Sequence, residues 1–255
     1  MSPSLEPYMT YAPFHFKKFS VFQEDVAHPV GTDGVLLGAW ADVSGAHSVL
    51  DIGTGTGLVA LMLAQRCVPG SLITAVEVHP ESAACARRNV LESPWQACLE
   101  VVELPVQQFA LQTALQFDLI VSNPPFFSDL TVSPNAARSL ARHTATLSTG
   151  DLLDAVLRLL KPAGRFCAVL PDKEGVRMCE MAAPLGLFCT HLVEVRSHAG
   201  KPVVRRLLQL ERDPRRFRRE GLDIYDRTGG YSDAYRQLTK DFYTAAVSIV
   251  GVLKT

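Results

Sequence analysis

The sequence predicts an α/β fold: a Rossmann-like, mostly parallel sheet that ends in an antiparallel C-terminal hairpin. Three observations predict it. From Ser48 onward, short runs suited to strands alternate with helical segments. The first run, 48–52, lacks the polar alternation of a half-exposed strand and is typical of one covered on both faces. Near the C-terminus, the runs 187–195 and 203–210 flank a polar turn at 197–201, which indicates a hairpin.

Length and composition favour one domain with a sizeable core. The chain has 255 residues, of which 47% are hydrophobic and 20% charged. The net charge of −1 means that any nucleic-acid surface must be a local patch. Six scattered cysteines without a Cys-x-x-Cys pair indicate buried thiols in a reducing cytoplasm and no metal site. No signal peptide, membrane span or obligatory protein partner is expected.

The N-terminal region is predicted to lie outside the alternating pattern. Residues 1–13 are expected to be a flexible N-terminus, and residues 14–255 one domain whose first part, 14–47, forms an arm. Aromatic and polar residues alternate over 14–22, which indicates a short strand or hairpin. Thr32 and Asp33 are predicted to cap a short apolar helix over 34–40.

The elements of the sheet follow in order. One helix is predicted from its periodicity, the second from Pro80 at its first turn, and the third from a cap at Ser148 and Thr149. The predicted strands are 48–52, 72–78, 99–102, 117–122 and 165–170, and the predicted helices are 58–66, 80–91 and 149–160. These units suggest a doubly wound sheet.

A glycine turn follows the first strand. Gly53, Gly55 and Gly57 allow a sharp turn that approaches a ligand, and the helix after Gly57 points unpaired N–H groups toward it. The spacing G-x-G-x-G after Asp51 favours S-adenosylmethionine over a dinucleotide. Glu77, one strand later, is predicted to accept the ribose hydroxyls. Asp51 is expected either to accept from the cofactor's ammonium group or to hold the turn through backbone N–H groups.

A second motif, Asn123-Pro124-Pro125-Phe126, ends the run 117–122. The Asn123 side-chain oxygen and the Pro124 carbonyl can each accept an N–H of an exocyclic amino group, and Pro125 presets the direction of that carbonyl. Phe126 or Phe127 offers a ring on which a base can stack. The two motifs together predict methylation of a planar amino nitrogen, so Asn123 is assigned to the cofactor site as well.

Basic residues suggest where a nucleic acid could bind. The segment 128–147 after the motif contains Arg138 and Arg142, which are candidate phosphate contacts. Lys17 belongs to the arm. A further basic stretch contains Arg205, Arg206, Arg212, Arg215, Arg216, Arg218 and Arg219. It is interpreted as a phosphate-binding patch, of which Arg215 and Arg216 are candidate RNA contacts, or as a solvated edge.

Several blocks together resemble the bacterial tRNA1(Val) (adenine-37-N6)-methyltransferases. The block 31–40, Gly-Thr-Asp-Gly-Val-Leu-Leu-Gly-Ala-Trp, is the most specific of them. The resemblance extends from about Phe14 to Tyr243. The other matching segments are 16–19, 51–57, 117–125 and 231–239.

The resemblance implies a class I S-adenosylmethionine-dependent methyltransferase that acts on N6 of an adenine in the anticodon stem-loop of a tRNA. It places Thr32 and Asp33 near the methionine end of the cofactor. Phe126 stands where relatives often carry tyrosine, and Glu103 stands near the usual adenine-contacting acid. Three alternatives stay open: a guanine-N2 methyltransferase of ribosomal RNA, a protein-glutamine N5-methyltransferase, and a non-catalytic RNA-binding module.

Overall fold

The computed structural model describes residues 11–24, 29–125, 147–214 and 217–244 of the chain. Over these ranges it shows a two-stranded arm and a larger sheet with helices on both faces. The strands are β1 Tyr11–His15, β2 Ser20–Gln23, β3 Ser48–Ile52, β4 Leu72–Glu77, β5 Leu99–Glu103, β6 Phe117–Ser122, β7 Leu160–Pro171, β8 Phe188–Arg196, β9 Val203–Glu211 and β10 Arg218–Asp223. The helices are α1 Thr32–Trp40, α2 Leu58–Arg66, α3 Pro80–Leu91, α4 Val106–Gln112, α5 Thr149–Leu159, α6 Asp172–Ala182 and α7 Asp233–Thr239.

The larger sheet has the strand order β10-β8-β9-β7-β6-β3-β4-β5. Its neighbouring pairs are parallel except those that β9 makes with β7 and β8. The predicted Rossmann-like fold and the antiparallel hairpin are therefore confirmed. Strand order reverses between β3 and β6, and ligands of such sheets bind at the carboxyl ends of the strands beside that reversal.

The sequence predicts that the sheet ends in the hairpin, but one more strand lies outside it. Strand β10 pairs in parallel with β8, and Arg218 lies opposite His191. The segment reads Arg-Arg-Glu-Gly-Leu-Asp, so it lacks the apolar pattern by which the other strands were predicted. Charged residues of this kind protect an edge strand from pairing with other chains.

Helix starts were predicted with mixed success. The Ser148 hydroxyl accepts the Asp151 N–H at 3.1 Å, and the Asp151 carboxylate accepts the Ser148 N–H at 3.2 Å, so the predicted cap is confirmed as a capping box. The predicted Thr32–Asp33 cap is wrong, because α1 begins at Thr32 after Gly31 without a side-chain cap. None of the described helices is long and apolar enough to cross a membrane.

Two apolar clusters cover the two faces of the sheet. Val49 and Leu119 belong to the cluster beneath α1 and α2, whereas Leu50 and Ile120 belong to the cluster beneath α4 and α5. Neighbouring residues of one strand therefore pack into different clusters, as the period of a strand requires. This arrangement explains why the central strands lack polar alternation.

The N-terminal arm contacts the C-terminal region, and Asn89 links it to the glycine turn. Strand β1 begins at Tyr11, so residues 11–13 belong to the arm rather than to the predicted flexible terminus. The Phe16 and Tyr243 rings stack at 6.0 Å. Asn89 of α3 accepts the N–H of Phe22 at 2.8 Å and donates to the carbonyl of Thr56 at 2.8 Å. One buried amide thus connects the arm to the glycine turn.

Candidate active site

The glycine turn and Asn123 meet because β3 and β6 are neighbours. Ile52 and Ser122, the last residues of the two strands, lie opposite each other. The buried Ser122 hydroxyl donates to the Ile52 carbonyl at 2.9 Å. The structure therefore brings the two predicted motifs together, and it adds Ser122 as a link between them. A serine that ends an apolar run was the only sequence signal for this link.

The glycine turn needs glycine for its backbone conformation. The φ angles of Gly53, Gly55 and Gly57 are 72°, 56° and 81°, which L side chains rarely adopt. A Cβ built on Gly53 or Gly55 would contact nothing within 4 Å, so crowding is not the reason for these glycines. The turn leaves an open cradle at the carboxyl end of β3. Helix α2 begins at Leu58 directly after it, as predicted.

Asp51 fixes the conformation of the glycine turn through two hydrogen bonds. Its carboxylate accepts the Thr54 hydroxyl at 2.6 Å and the Ala60 N–H at 3.2 Å. The residue is only 1% exposed, and burial raises the pKa of the carboxyl to about 7. Of the two predicted roles, the contacts match the one in which Asp51 fixes the turn.

Glu77 borders the cradle on its other side. One carboxylate oxygen accepts the Gly55 N–H at 2.8 Å, and the other accepts the N–H groups of Val78 and His79 at 2.9 and 3.0 Å. The side chain therefore connects the glycine turn to the start of α3. Its position at the end of β4 is the one predicted, and its role as ribose acceptor stays a prediction.

The strand-end motif continues directly from Ser122. Asn123 is half-buried, Pro124 is buried, and Pro125 is exposed. Because the residue before a proline has restricted backbone angles, Pro125 limits the direction of the Pro124 carbonyl. Phe126, the last residue of the motif, and Phe127 lie outside the described residues, as do Arg138 and Arg142.

Asp33 pairs with an arginine from a distant strand. The Arg205 Nε lies 2.7 Å from Asp33 Oδ2, and the two side chains are 34% and 22% exposed. A Cβ on Gly34 would lie 3.0 Å from Leu58, so the first turn of α1 lies beside the start of α2. Arg205 lies opposite Pro171 at the carboxyl end of β7. The pair, with the half-buried Thr32, thus lies at the same sheet edge as Asn123.

The described members of the predicted arginine patch do not share one surface. Arg205 and Arg212 lie near opposite ends of β9, roughly 23 Å apart at the rise of an extended strand. Arg206 pairs with Asp172 at 2.7 Å, and Arg212 donates to the Leu157 carbonyl at 2.5 Å. The two outer members also make internal pairs, Arg218 with Glu220 and Arg219 with Glu194. Arg215 and Arg216 lie outside the described residues.

Two further predicted residues are located by the structure. Lys17 is exposed, and its ammonium group donates to the Lys240 carbonyl at 2.5 Å. Glu103 lies opposite Glu77 at the end of β5. Its exposed carboxylate pairs with Arg87 at 3.0 Å. Glu103 therefore lies at the same sheet edge as Glu77, and its ion-pair partner in the described residues is the exposed Arg87.

Comparisons with known proteins find methyltransferases that are similar in sequence to this chain. Residues 30–176 match the family model described as the methyltransferase small domain. A Yersinia enterocolitica protein named tRNA1(Val) (adenine(37)-N6)-methyltransferase is 41% identical over 93% of this chain and 95% of its own length. A Histophilus somni protein of the same name is 40% identical over 90% of this chain and 96% of its own length.

Solved structures share the fold at low sequence identity. A predicted O-methyltransferase from Agrobacterium tumefaciens aligns with a TM-score of 0.65 and 19% identity, and covers 82% of this chain and 96% of its own. A human methyltransferase 10 domain containing protein aligns with a TM-score of 0.52 and 18% identity, over 76% of this chain and 90% of its own. Both similarities support the class I methyltransferase fold.

Proposed function

The chain belongs to the tRNA1(Val) (adenine(37)-N6)-methyltransferase family, and from that premise we propose that it methylates N6 of adenine 37 in the anticodon loop of tRNA1(Val). The observation that carries the proposal is the juxtaposition of Asn123 with the glycine turn. Ser122 and Ile52 hold the two strand ends together through one buried hydrogen bond. This bond supports the proposal that Asn123 accepts the substrate amino group beside the glycine turn.

The cradle fits S-adenosylmethionine, which when bound supplies an electrophilic sulfonium methyl group. The open backbone at Gly53 and Gly55 gives the cofactor's nucleoside room to approach. Glu77 would accept the ribose hydroxyls, since a carboxylate can take two such bonds. Asp51 keeps the turn in shape through Thr54. Thr32 and Asp33 would lie at the methionine end.

Asn123 and Pro124 would make the substrate nitrogen a better nucleophile. The lone pair of an aromatic amino group is delocalised into the ring, so the nitrogen must become more tetrahedral before it reacts. The Asn123 side-chain oxygen and the Pro124 carbonyl can each accept one N–H of that group and localise its lone pair. Acceptors fixed in advance do this without reorganising in the transition state. The surplus proton is acidic once the nitrogen carries the new methyl group.

RNA binding is assigned to residues around this centre. Phe126 or Phe127 would stack on the flipped adenine. The proposed phosphate contacts are Arg138, Arg142, Lys17, Arg215 and Arg216. Because the proposed substrate is a tRNA, we expect the enzyme to be located in the cytoplasm.

A substrate comparison tests the proposed function. The protein is incubated with S-adenosylmethionine labelled in its methyl group and with unmodified tRNA, ribosomal RNA or a glutamine-containing protein. We expect label in the tRNA alone, and in N6-methyladenosine after digestion to nucleosides. Label in N2-methylguanosine or in protein would favour one of the two other methyltransferase classes. Absence of label from every substrate would favour a non-catalytic module.

A further inference from the structure

The Asp33–Arg205 ion pair is an accessible pair of opposite charges at the cofactor edge. Its two groups lie 2.7 Å apart, and the Asp33 and Arg205 side chains are 22% and 34% exposed. Arg205 leaves β9 toward α1, whereas its neighbour Arg206 packs against Gly175 of α6 on the other face. The pair therefore faces the side of the sheet on which α1 packs against the start of α2, directly after the glycine turn.

The pair is complementary to one part of the cofactor. The methionine end of S-adenosylmethionine is a zwitterion with an ammonium group and a carboxylate. We propose that Asp33 receives this ammonium group and Arg205 this carboxylate, which makes Arg205 a cofactor-binding residue. The proposal rests on the proposed function, because it presupposes the cofactor. A guanidinium matches a carboxylate with two parallel hydrogen bonds, so Arg205 would set the direction of the amino-acid end.

Other charged residues nearby are less suited to this task. Asp51 is 1% exposed and already accepts bonds from Thr54 and Ala60. Glu77 is bound to the Gly55 N–H at the other side of the turn. Arg206 pairs with Asp172 on the opposite face of the sheet. Arg87 and Glu103 form another exposed pair at this edge, but that pair lies at the end of β5, beyond Glu77 in the strand order. Asp33 and Arg205 combine both charges and exposure on the Asn123 side of the glycine turn.

The ion pair also explains how the subsite stays organised before the cofactor binds. Each member neutralises the other, so neither charge lies uncompensated at the edge of the sheet. When the zwitterion binds, Asp33 exchanges the Arg205 guanidinium for the ligand's ammonium group. Arg205 exchanges the Asp33 carboxylate for the ligand's carboxylate. The number of ion pairs rises while the net charge of the site does not change. The subsite therefore selects ligands that carry both charges.

The test compares two ligands that differ only in the amino-acid end. S-adenosylhomocysteine carries it, whereas 5′-methylthioadenosine ends in a methyl group. Calorimetry measures both ligands with the wild type, Arg205→Ala, Arg205→Lys and Asp33→Asn. We expect Arg205→Ala and Asp33→Asn to lose roughly tenfold or more in affinity for S-adenosylhomocysteine. We expect Arg205→Lys to lose less, and 5′-methylthioadenosine to bind all four proteins equally.

Arg206→Ala is the matched control, because it removes an ion pair of the same length from the same strand. It should leave the affinities for both ligands unchanged. Equal affinity of wild type and Arg205→Ala for S-adenosylhomocysteine would overturn the proposal, and so would a parallel loss for both ligands. A wild-type protein that binds neither ligand would overturn the proposed function as well, so the two failures are distinguishable.

Discussion

The Glu77 carboxylate accepts the backbone N–H of Gly55 at 2.8 Å, and this bond joins the end of β4 to the glycine turn after β3. The other carboxylate oxygen accepts two N–H groups at the start of α3. One acid therefore fixes the backbone on both sides of the cofactor cradle. Its position also makes it the acceptor expected for the ribose.

Replacement of Glu77 should weaken cofactor binding. Glu77→Ala removes a charged hydrogen-bond acceptor, so we expect a loss of about 1–3 kcal/mol in the affinity for S-adenosylhomocysteine by calorimetry. Glu77→Gln keeps one acceptor oxygen and should lose less. Glu100→Ala is the control, because Glu100 is an exposed acid of β5 that lies opposite Thr74, away from the carboxyl end of the strand. Unchanged affinity in Glu77→Ala would reject Glu77 as the ribose acceptor.

Asp51 should make stability depend on pH. Burial raises the pKa of its carboxyl from the ordinary 3.8 to about 7 in the folded state. Between these two values the folded state binds a proton that the unfolded state has lost, so the free energy of unfolding falls as pH rises. Asp51→Asn keeps an acceptor for Thr54 but does not titrate. The Tm of the wild type minus that of Asp51→Asn should therefore decrease from pH 5 to pH 8. A constant difference would contradict the shifted pKa.

Two helical glycines should respond in opposite ways to alanine. A Cβ on Gly38 would lie 2.7 Å from the sulfur and 2.8 Å from the Cβ of Met62, because α1 and α2 pack closely there. Gly38→Ala should lower the free energy of unfolding by about 1–3 kcal/mol through overpacking. Gly150→Ala is the control, since its Cβ would meet only Ser148 Oγ at 3.7 Å. It should be neutral or stabilise by up to about 1 kcal/mol in a denaturant titration.

Binding of tRNA should weaken steeply as salt concentration rises, because phosphate contacts release counterions. If Arg215 and Arg216 contact phosphates, the double alanine variant should have a shallower slope of log binding constant against log salt concentration. The slope should change by about one to two, since each lost phosphate contact changes it by about one. Arg227→Ala, at an exposed turn, is the matched control and should leave the slope unchanged. Equal slopes for the double variant and the wild type would show that other residues hold the RNA.

Local patterns predicted the fold well. The Ser148 capping box, the glycine turn and the hairpin depend on residues that are close in sequence, and each was confirmed. Strand β10 was missed because a charged edge strand has no apolar period. The short helix α4 was missed for a related reason, since seven residues offer too few turns to show a helical period.

Contacts between distant residues could not be predicted. Asp33 and Arg205 are 172 positions apart, so the sequence could not show that Asp33 pairs with an arginine instead of capping α1. It also could not show that Arg205 and Arg212 lie near opposite ends of one strand. The glycine cradle and Asn123 were predicted because their strand-end positions place them at one edge. The bond from Ser122 to Ile52, which fixes their separation, required the strand order.

Adenine 37 is the proposed acceptor of the methyl group, and Asn123 is the residue proposed to orient its amino group. The most direct measurement is mass spectrometry of ribonuclease fragments from tRNA1(Val) after incubation with heavy-methyl S-adenosylmethionine. We expect the wild type to place one heavy methyl group on adenine 37. Asn123→Ala should lower the rate about a hundredfold or more, because a fixed acceptor is lost from the transition state. Its affinity for S-adenosylhomocysteine should stay near that of the wild type. A methyl group on another nucleotide, or near-normal turnover by Asn123→Ala, would contradict this account.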